Sequence, residues 1–183
     1  MIRKIREKLG EKQLQRALKI HVRQKEFLNI EHVRSVGIIF DATDKQEFDR
    51  IKNYVSKLKQ AGKTVRGIGF YDAKQIPEDL SYSKSDFDLF NAKEVQGLGT
   101  PSSPYIKSFI TEVRDLLIDV NLKNKFPLRY IAAMSYARCK VGIDMPENAM
   151  IHDILVSVDP AQGTEKYLQQ ADVFLAMINK KRA

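Results

Sequence analysis

The chain of 183 residues carries 31 Lys and Arg against 23 Asp and Glu, a formal net charge of +8 with its three histidines neutral. That length suits a single domain with a sizeable core, and 43% hydrophobic residues exclude general disorder. One cysteine, Cys139, excludes an intrachain disulfide framework and any multi-cysteine metal centre.

No apolar run reaches the roughly 18 residues of a membrane span. MIRKIREKLGEKQLQR at the start lacks the apolar core of a secretory signal. A cytoplasmic protein that is not transmembrane is expected. The charge is uneven. Residues 1–34 hold ten Lys or Arg and four Glu, and Lys180, Lys181 and Arg182 lie at the other end. Between them, 35–179 holds 18 basic and 19 acidic residues. This partition reads as a basic helical arm over 1–34 ahead of one domain over 35–183.

Gly10 is expected to interrupt any helix among the first residues. From Glu11 the spacing predicts an amphipathic helix over 11–25. Lys12, Arg16, Lys19 and Arg23 share one face, and Leu14, Ala17, Leu18 and His21 the other. SVGIIFD (35–41) is a short apolar run of the kind found in buried strands. Asp44 then suits a helix N-cap, with Glu47 completing a capping box. Phe48, Ile51, Val55 and Leu58 mark the buried stripe of that helix, and Gly62 is its C-terminal stop. TVRGIGFY (64–71) reads as the second strand of a βαβ unit.

A further strand is expected within 86–95, and GLGTPSS (97–103) reads as a loop. Ser103-Pro104 opens a helix continued by Ile106, Phe109, Ile110 and Val113. Next come a strand over 115–120, a helix over 126–137 opened by Pro127, and strands over 139–143 and 152–158. A helix over 164–181 closes the pattern, with Leu168, Ala171, Phe174 or Leu175, and Ile178 inward. Short apolar strands alternating with amphipathic helices give a three-layer, Rossmann-like α/β domain. Its sheet should be mostly parallel, with about five or six strands, preceded by the basic N-terminal helix.

The most informative constellation is acidic. Asp41, Asp72, Asp119, Asp144 and Asp159 each fall at, or one residue past, a predicted strand end, with Asp44 and Asn121 in the same loops. In a parallel sheet those ends share the carboxyl edge, where ligands of α/β proteins bind. Asp41, Asp44, Asp72, Asp119 and Asn121 are therefore the ligand-binding candidates. Clustered carboxylates could hold Mg²⁺ or tune one another for acid–base work. Each could equally cap a helix or close an Asx-turn.

Phosphate signatures are missing. There is no P-loop, and DATDKQEF after the first strand contains no glycine. Gly67 and Gly69 lie inside a strand, where they read as close packing. Gly97 and Gly99 could form an anion nest with Thr100, Ser102 and Ser103, although a surface loop capped by Ser103 is the plainer reading. Cys139, opening a core strand, reads as a small buried hydrophobe. His21, His32 and His152 have no ligand-like spacing, so no metal site is assigned. Lys12, Arg16, Lys19 and Arg23 could contact nucleic acid, an anionic membrane or a partner, and Leu14, Ala17 and Leu18 a second copy. Without Tyr or Trp in that region, base stacking is not expected.

DLLIDVNLKNKFPLRYIAAMSYARCKVGID (115–144) resembles a family of uncharacterised conserved proteins found in Bacteroidetes. The D-L-L-I-D and F-P-L-x-Y-I-A-A blocks carry that resemblance, along with the basic N-terminal helix and a first strand ending in Phe-Asp. It implies no activity. About thirty residues of the same stretch are similar to the N-terminal half of heptosyltransferase-like glycosyltransferases. There a strand of D-L-V-I-D-L type precedes an Ala-rich helix, a basic turn and a V-G strand. That resemblance would give Asp44 the acidic role of their first-strand loop. At 183 residues, the second nucleotide-sugar domain of those enzymes is not expected alongside this one. The sequence thus points to a non-catalytic binding or accessory α/β module, with no cofactor assigned. A Mg²⁺-dependent or sugar-phosphate enzyme is the first alternative, and an interaction protein acting through its basic arm the second.

Overall fold

The computed structural model describes residues 2–179, with side chains from Lys8 onward. The side chains of Arg3, Lys4 and Arg6, and all of Lys180, Lys181 and Arg182, lie outside the described residues. In chain order the elements are α1 (Ile2–Ile20), β1 (Ser35–Asp41), α2 (Lys45–Gln60), β2 (Thr64–Tyr71) and β3 (Phe87–Asn91). A hairpin of β4 (Val95–Gln96) and β5 (Thr100–Pro101) follows, then α3 (Pro104–Thr111), β6 (Leu116–Val120) and α4 (Phe126–Met134). The chain continues through β7 (Cys139–Ile143), β8 (Ile154–Val156) and α5 (Gly163–Ala176).

Six strands form one sheet in the order β3-β2-β1-β6-β7-β8, and every pairing is parallel. The chain builds outward from β1 through β2 to β3, then returns to the other side of β1 to place β6, β7 and β8. This is the Rossmann order, and the direction of winding reverses between β1 and β6. One face of the sheet, through Ile38, Phe40, Ile118, Val141 and Ile143, packs on α2 and α5. The other, through Ile39, Ile68, Phe70 and Leu117, packs on α1, α3 and α4. Gly67 and Gly69 are packing glycines. A Cβ at Gly67 would lie 2.6 Å from the Phe87 ring, and one at Gly69 2.7 Å from the Phe40 ring.

The N-terminal helix differs from expectation at both ends. It passes through Gly10, because the missing side chain lets α1 lie directly on the β4–β5 hairpin. A Cβ there would overlap the Leu98 carbonyl oxygen and touch the Phe126 ring at 3.0 Å. Glu11 pairs with Arg129 of α4, and Leu14 is buried in the core. The helix stops at Ile20, so His21 and Arg23 belong to a strap that crosses to α5. There the Asn29 side-chain amide donates to the carbonyls of Ala176 and Ile178 at 2.9 Å each. From Lys8 onward the basic segment is thus packed on the domain.

Gly10→Ala should therefore destabilise the protein by about 1–2 kcal/mol, read as a lower urea midpoint, even though alanine favours helix by about 1 kcal/mol. A net gain in stability would show that α1 can lift from Leu98 at no cost.

Smaller departures have local causes. Asp44 caps α2, accepting from the Gln46 and Glu47 amides at 2.8 and 3.2 Å. Glu47 does not close a capping box. It pairs with Arg50 and accepts from the Thr164 amide at 3.1 Å, fastening α5 to α2. Gly62 ends the helix with φ +79°, as the sequence indicates. Ser103 precedes α3, but its hydroxyl donates to Glu94 instead of capping. Residues 97–103 are largely a hairpin in which Gly97 and Gly99 adopt positive φ. Val113 lies beyond α3 and is exposed, and Phe174 is 41% exposed while Leu175 is buried.

Candidate functional site

Where winding reverses, the carboxyl ends of β1 and β6 part around a cleft of about 390 Å³. Its apolar floor is Phe40, Ile51, Val120 and Leu122, its rim Asp41, Asp44, Glu47 and Lys123, and the start of α5 at Gly163 and Thr164 closes one side.

Asp41 ends β1 with its side chain 10% exposed. One oxygen accepts from the Thr43 amide at 3.0 Å, and the other lies 3.0 Å from Lys125 Nζ and 3.6 Å from Lys123 Nζ. Burial pushes this carboxyl up, but the Thr43 hydrogen bonds and Lys125 outweigh it and hold the pKa below the ordinary value. Lys125 also reaches Asp72 at 3.2 Å and the Thr43 hydroxyl at 3.2 Å, over the Phe70 ring. The Thr43 hydroxyl in turn accepts from the Asp72 amide at 3.0 Å. Asp41, Asp72 and Thr43 therefore converge on one ammonium.

Asn121 builds the loop that delivers it. Its Oδ1 accepts from the Lys125 amide at 2.8 Å, and its Nδ2 donates to the Lys125 carbonyl at 2.9 Å. Asn124 within that loop takes φ +52°, a conformation asparagine tolerates well. The Asn121 amide donates to Asp119 Oδ1 at 3.1 Å, and Asp119 Oδ2 meets His152 Nε2 at 3.0 Å. Asp119 and His152 are both buried. A hydrogen-bonded chain thus runs from His152 through Asp119 and Asn121 to Lys125 and the rim carboxylates.

The five acidic-edge candidates divide accordingly. Asp41 and Asp72 share Lys125, Asp44 is committed to the α2 cap, Asn121 shapes the loop, and Asp119 lies inside the core. Asp144 accepts from Ser157 at 2.7 Å, and Asp159 accepts from the Ala161 amide at 2.9 Å, three residues beyond β8. Lys125 is the residue that sequence reasoning missed. Its signal was NLKNKF, two lysines in the loop directly after the β6 strand. Among the described residues, no group of three His, Cys, Asp or Glu side chains could hold a metal ion.

The basic candidates separate as well. Lys12, Arg16 and Lys19 are exposed along α1. Arg23 is not on that face. Its guanidinium lies 2.5 and 2.6 Å from the two Asp153 oxygens and also donates to the carbonyls of Ala137 and Arg138. Leu14, read from sequence as a dimer contact, is covered by its own chain. Cys139 is buried, which pushes its thiol up to about 12. No helix among the described residues is long and apolar enough to cross a membrane.

No curated protein and no solved structure matches the chain. One family model does, a family of unknown function, DUF6913, over residues 6–178. That match takes in most of α1, every strand of the sheet and the loops around the cleft, so the chain belongs to the DUF6913 family.

Proposed function

We propose that the protein is a non-catalytic binding module that takes a small, hydroxyl-rich, uncharged molecule in the cleft between β1 and β6. The supporting observation is the cleft itself, at the winding reversal, with an apolar floor and a rim of three carboxylates, Asp41, Asp44 and Glu47, beside the Lys123 ammonium. Such a rim donates to and accepts from hydroxyl groups, while the floor covers the flat side of a ring. A phosphate is disfavoured. Asp44 occupies the α2 N-terminus, where an anion would otherwise bind, and Asp41 lies beside it. The buried thiol of Cys139 supports a reducing, cytoplasmic setting.

The sugar-phosphate enzyme implied by the glycosyltransferase resemblance has less support. The Asp44 carboxylate it would use is hydrogen-bonded to two backbone amides of its own helix. The basic α1 face remains the support for the interaction reading, now limited to Lys12, Arg16 and Lys19.

A thermal-shift panel of nucleosides, free sugars and polyols, run beside their phosphorylated counterparts, tests the binding reading. An uncharged member should raise Tm for the wild type. Asp41→Asn and Lys123→Ala should lose that shift while unfolding close to the wild-type temperature. A larger shift with the phosphorylated partner would favour the enzyme reading, and no shift with any uncharged member would end the proposal.

A further inference from the structure

A second cleft, of about 310 Å³, lies where the strap after α1 passes β7. Leu18, Val22, Met150 and Ile151 form apolar walls, and Lys140 lines the interior. Lys140 is the charged residue of the otherwise apolar strand CKVGI and is 1% exposed. Its Nζ donates to a backbone carbonyl, that of Ala133 at 2.9 Å, instead of a carboxylate. His21, Arg23 and Lys25 line the same cleft. Arg23 and Lys25 oppose a charge on Lys140, while Asp153 and Asp119 favour one. Burial is the largest influence, and together these effects bring the amine down to about 7. A desolvated lysine beside other cations is the arrangement that leaves an amine neutral and nucleophilic at neutral pH.

We propose that Lys140 is a nucleophilic lysine and that this cleft takes a small carbonyl compound bearing an anionic group. Lys140 Nζ adds its lone pair to the carbonyl carbon, giving a carbinolamine. The carbonyl oxygen then leaves as water with both amine hydrogens, and a C=N bond replaces C=O. Lys25 pairs with the buried Asp153 at 2.9 Å, but its side chain is 60% exposed at the cleft, so it is the cation there that an anionic group can reach. Arg23 is held by Asp153 and contributes field more than contact. Val22 and Met150, 82% and 65% exposed, leave the mouth open.

Site-resolved trapping on the wild-type protein tests this. The protein is incubated at neutral pH with 4-formylbenzoate and cyanoborohydride, which delivers hydride to any imine and fixes it as a secondary amine. It is then digested and mapped by mass spectrometry. An ordinary lysine is neutral in about one molecule per thousand at that pH, so Lys140 should be modified roughly tenfold faster than exposed Lys12 or Lys57. Methyl 4-formylbenzoate, which lacks the carboxylate, should react severalfold more slowly. Met150→Trp, placed at the exposed mouth, should slow modification of Lys140 alone. Lys140 reacting no faster than Lys12 and Lys57 would overturn the proposal. Equal rates for acid and ester would remove the anionic group from it, and an unaffected Met150→Trp rate would remove the cleft.

Discussion

Asp153→Ala is expected to lower the unfolding free energy by about 3–5 kcal/mol, a large share of the roughly 5–15 kcal/mol typical of a domain. The cause is a charge left behind. Asp153 and Arg23 have side chains only 2% and 6% exposed, and Asp153 also accepts from Lys25 at 2.9 Å and from the Lys140 amide at 2.9 Å. Without the carboxylate, the Arg23 guanidinium keeps only the Ala137 and Arg138 carbonyls in a site nearly closed to water. Lys25→Ala is the control. Its ammonium is 60% exposed, so its loss should cost under about 1 kcal/mol.

The effect has a pH signature. Burial raises the Asp153 carboxyl, but the hydrogen bonds from Arg23, Lys25 and the Lys140 amide outweigh it, and the folded-state pKa is lowered. A lowered carboxyl contributes fully above its unfolded pKa, about 3.9, and loses that contribution as pH falls through the folded value. The gap between wild type and Asp153→Ala, measured by urea unfolding, should be level from neutral pH to about pH 5 and shrink below about pH 4. A gap that widens on acidification would contradict this account of the strap.

Asp119→Ala should cost roughly 3 kcal/mol, because it strands His152 in the core beside the Asn148 carbonyl. A Cβ on Gly142 would lie 2.6 Å from the His152 ring, so the imidazole cannot turn toward that strand for another partner. Replacing both partners with apolar groups, Asp119→Leu with His152→Phe, should recover part of the loss, since the imidazole is then no longer unpaired and only the Asn121 amide still lacks its acceptor. Urea unfolding of the two single variants and the double variant measures the coupling. If Asp119→Ala removed a ligand-dependent thermal shift at an unchanged Tm, Asp119 would be a ligand contact and its assignment to the core would be wrong.

Strands β1, β2 and β7 coincide with their sequence expectations because each is a short, mainly apolar run closed by a turn signal, with Arg66 in β2 and Lys140 in β7 as the interior charges. The last strand is shorter than its pattern, 152–158, because His152 belongs to the Asp119 contact and only Ile154–Val156 pairs with β7. The helix over 126–137 ends at Met134, since the Ala137 amide bonds to the Ser135 hydroxyl and Arg138 to the Arg114 carbonyl. The candidate edge was legible for a similar reason. A parallel sheet gathers strand ends by geometry, so aspartates at those ends had to share one side of the molecule.

What became of each aspartate was not legible. Asp41 meets Lys125 and Asp119 meets His152, residues far along the chain that no local spacing connects. The charge partition shows the same division. Composition located the excess basic residues near the ends. Only packing determined that Lys12, Arg16 and Lys19 face water while Arg23 is bound inside by Asp153. By itself the sequence determined the fold class, most strand positions and the edge that carries the acidic residues, because periodicity and turn chemistry act over a few neighbouring residues. The tertiary structure alone decided which side chains are paired, buried or free, because those states depend on partners brought together by the crossovers of the sheet.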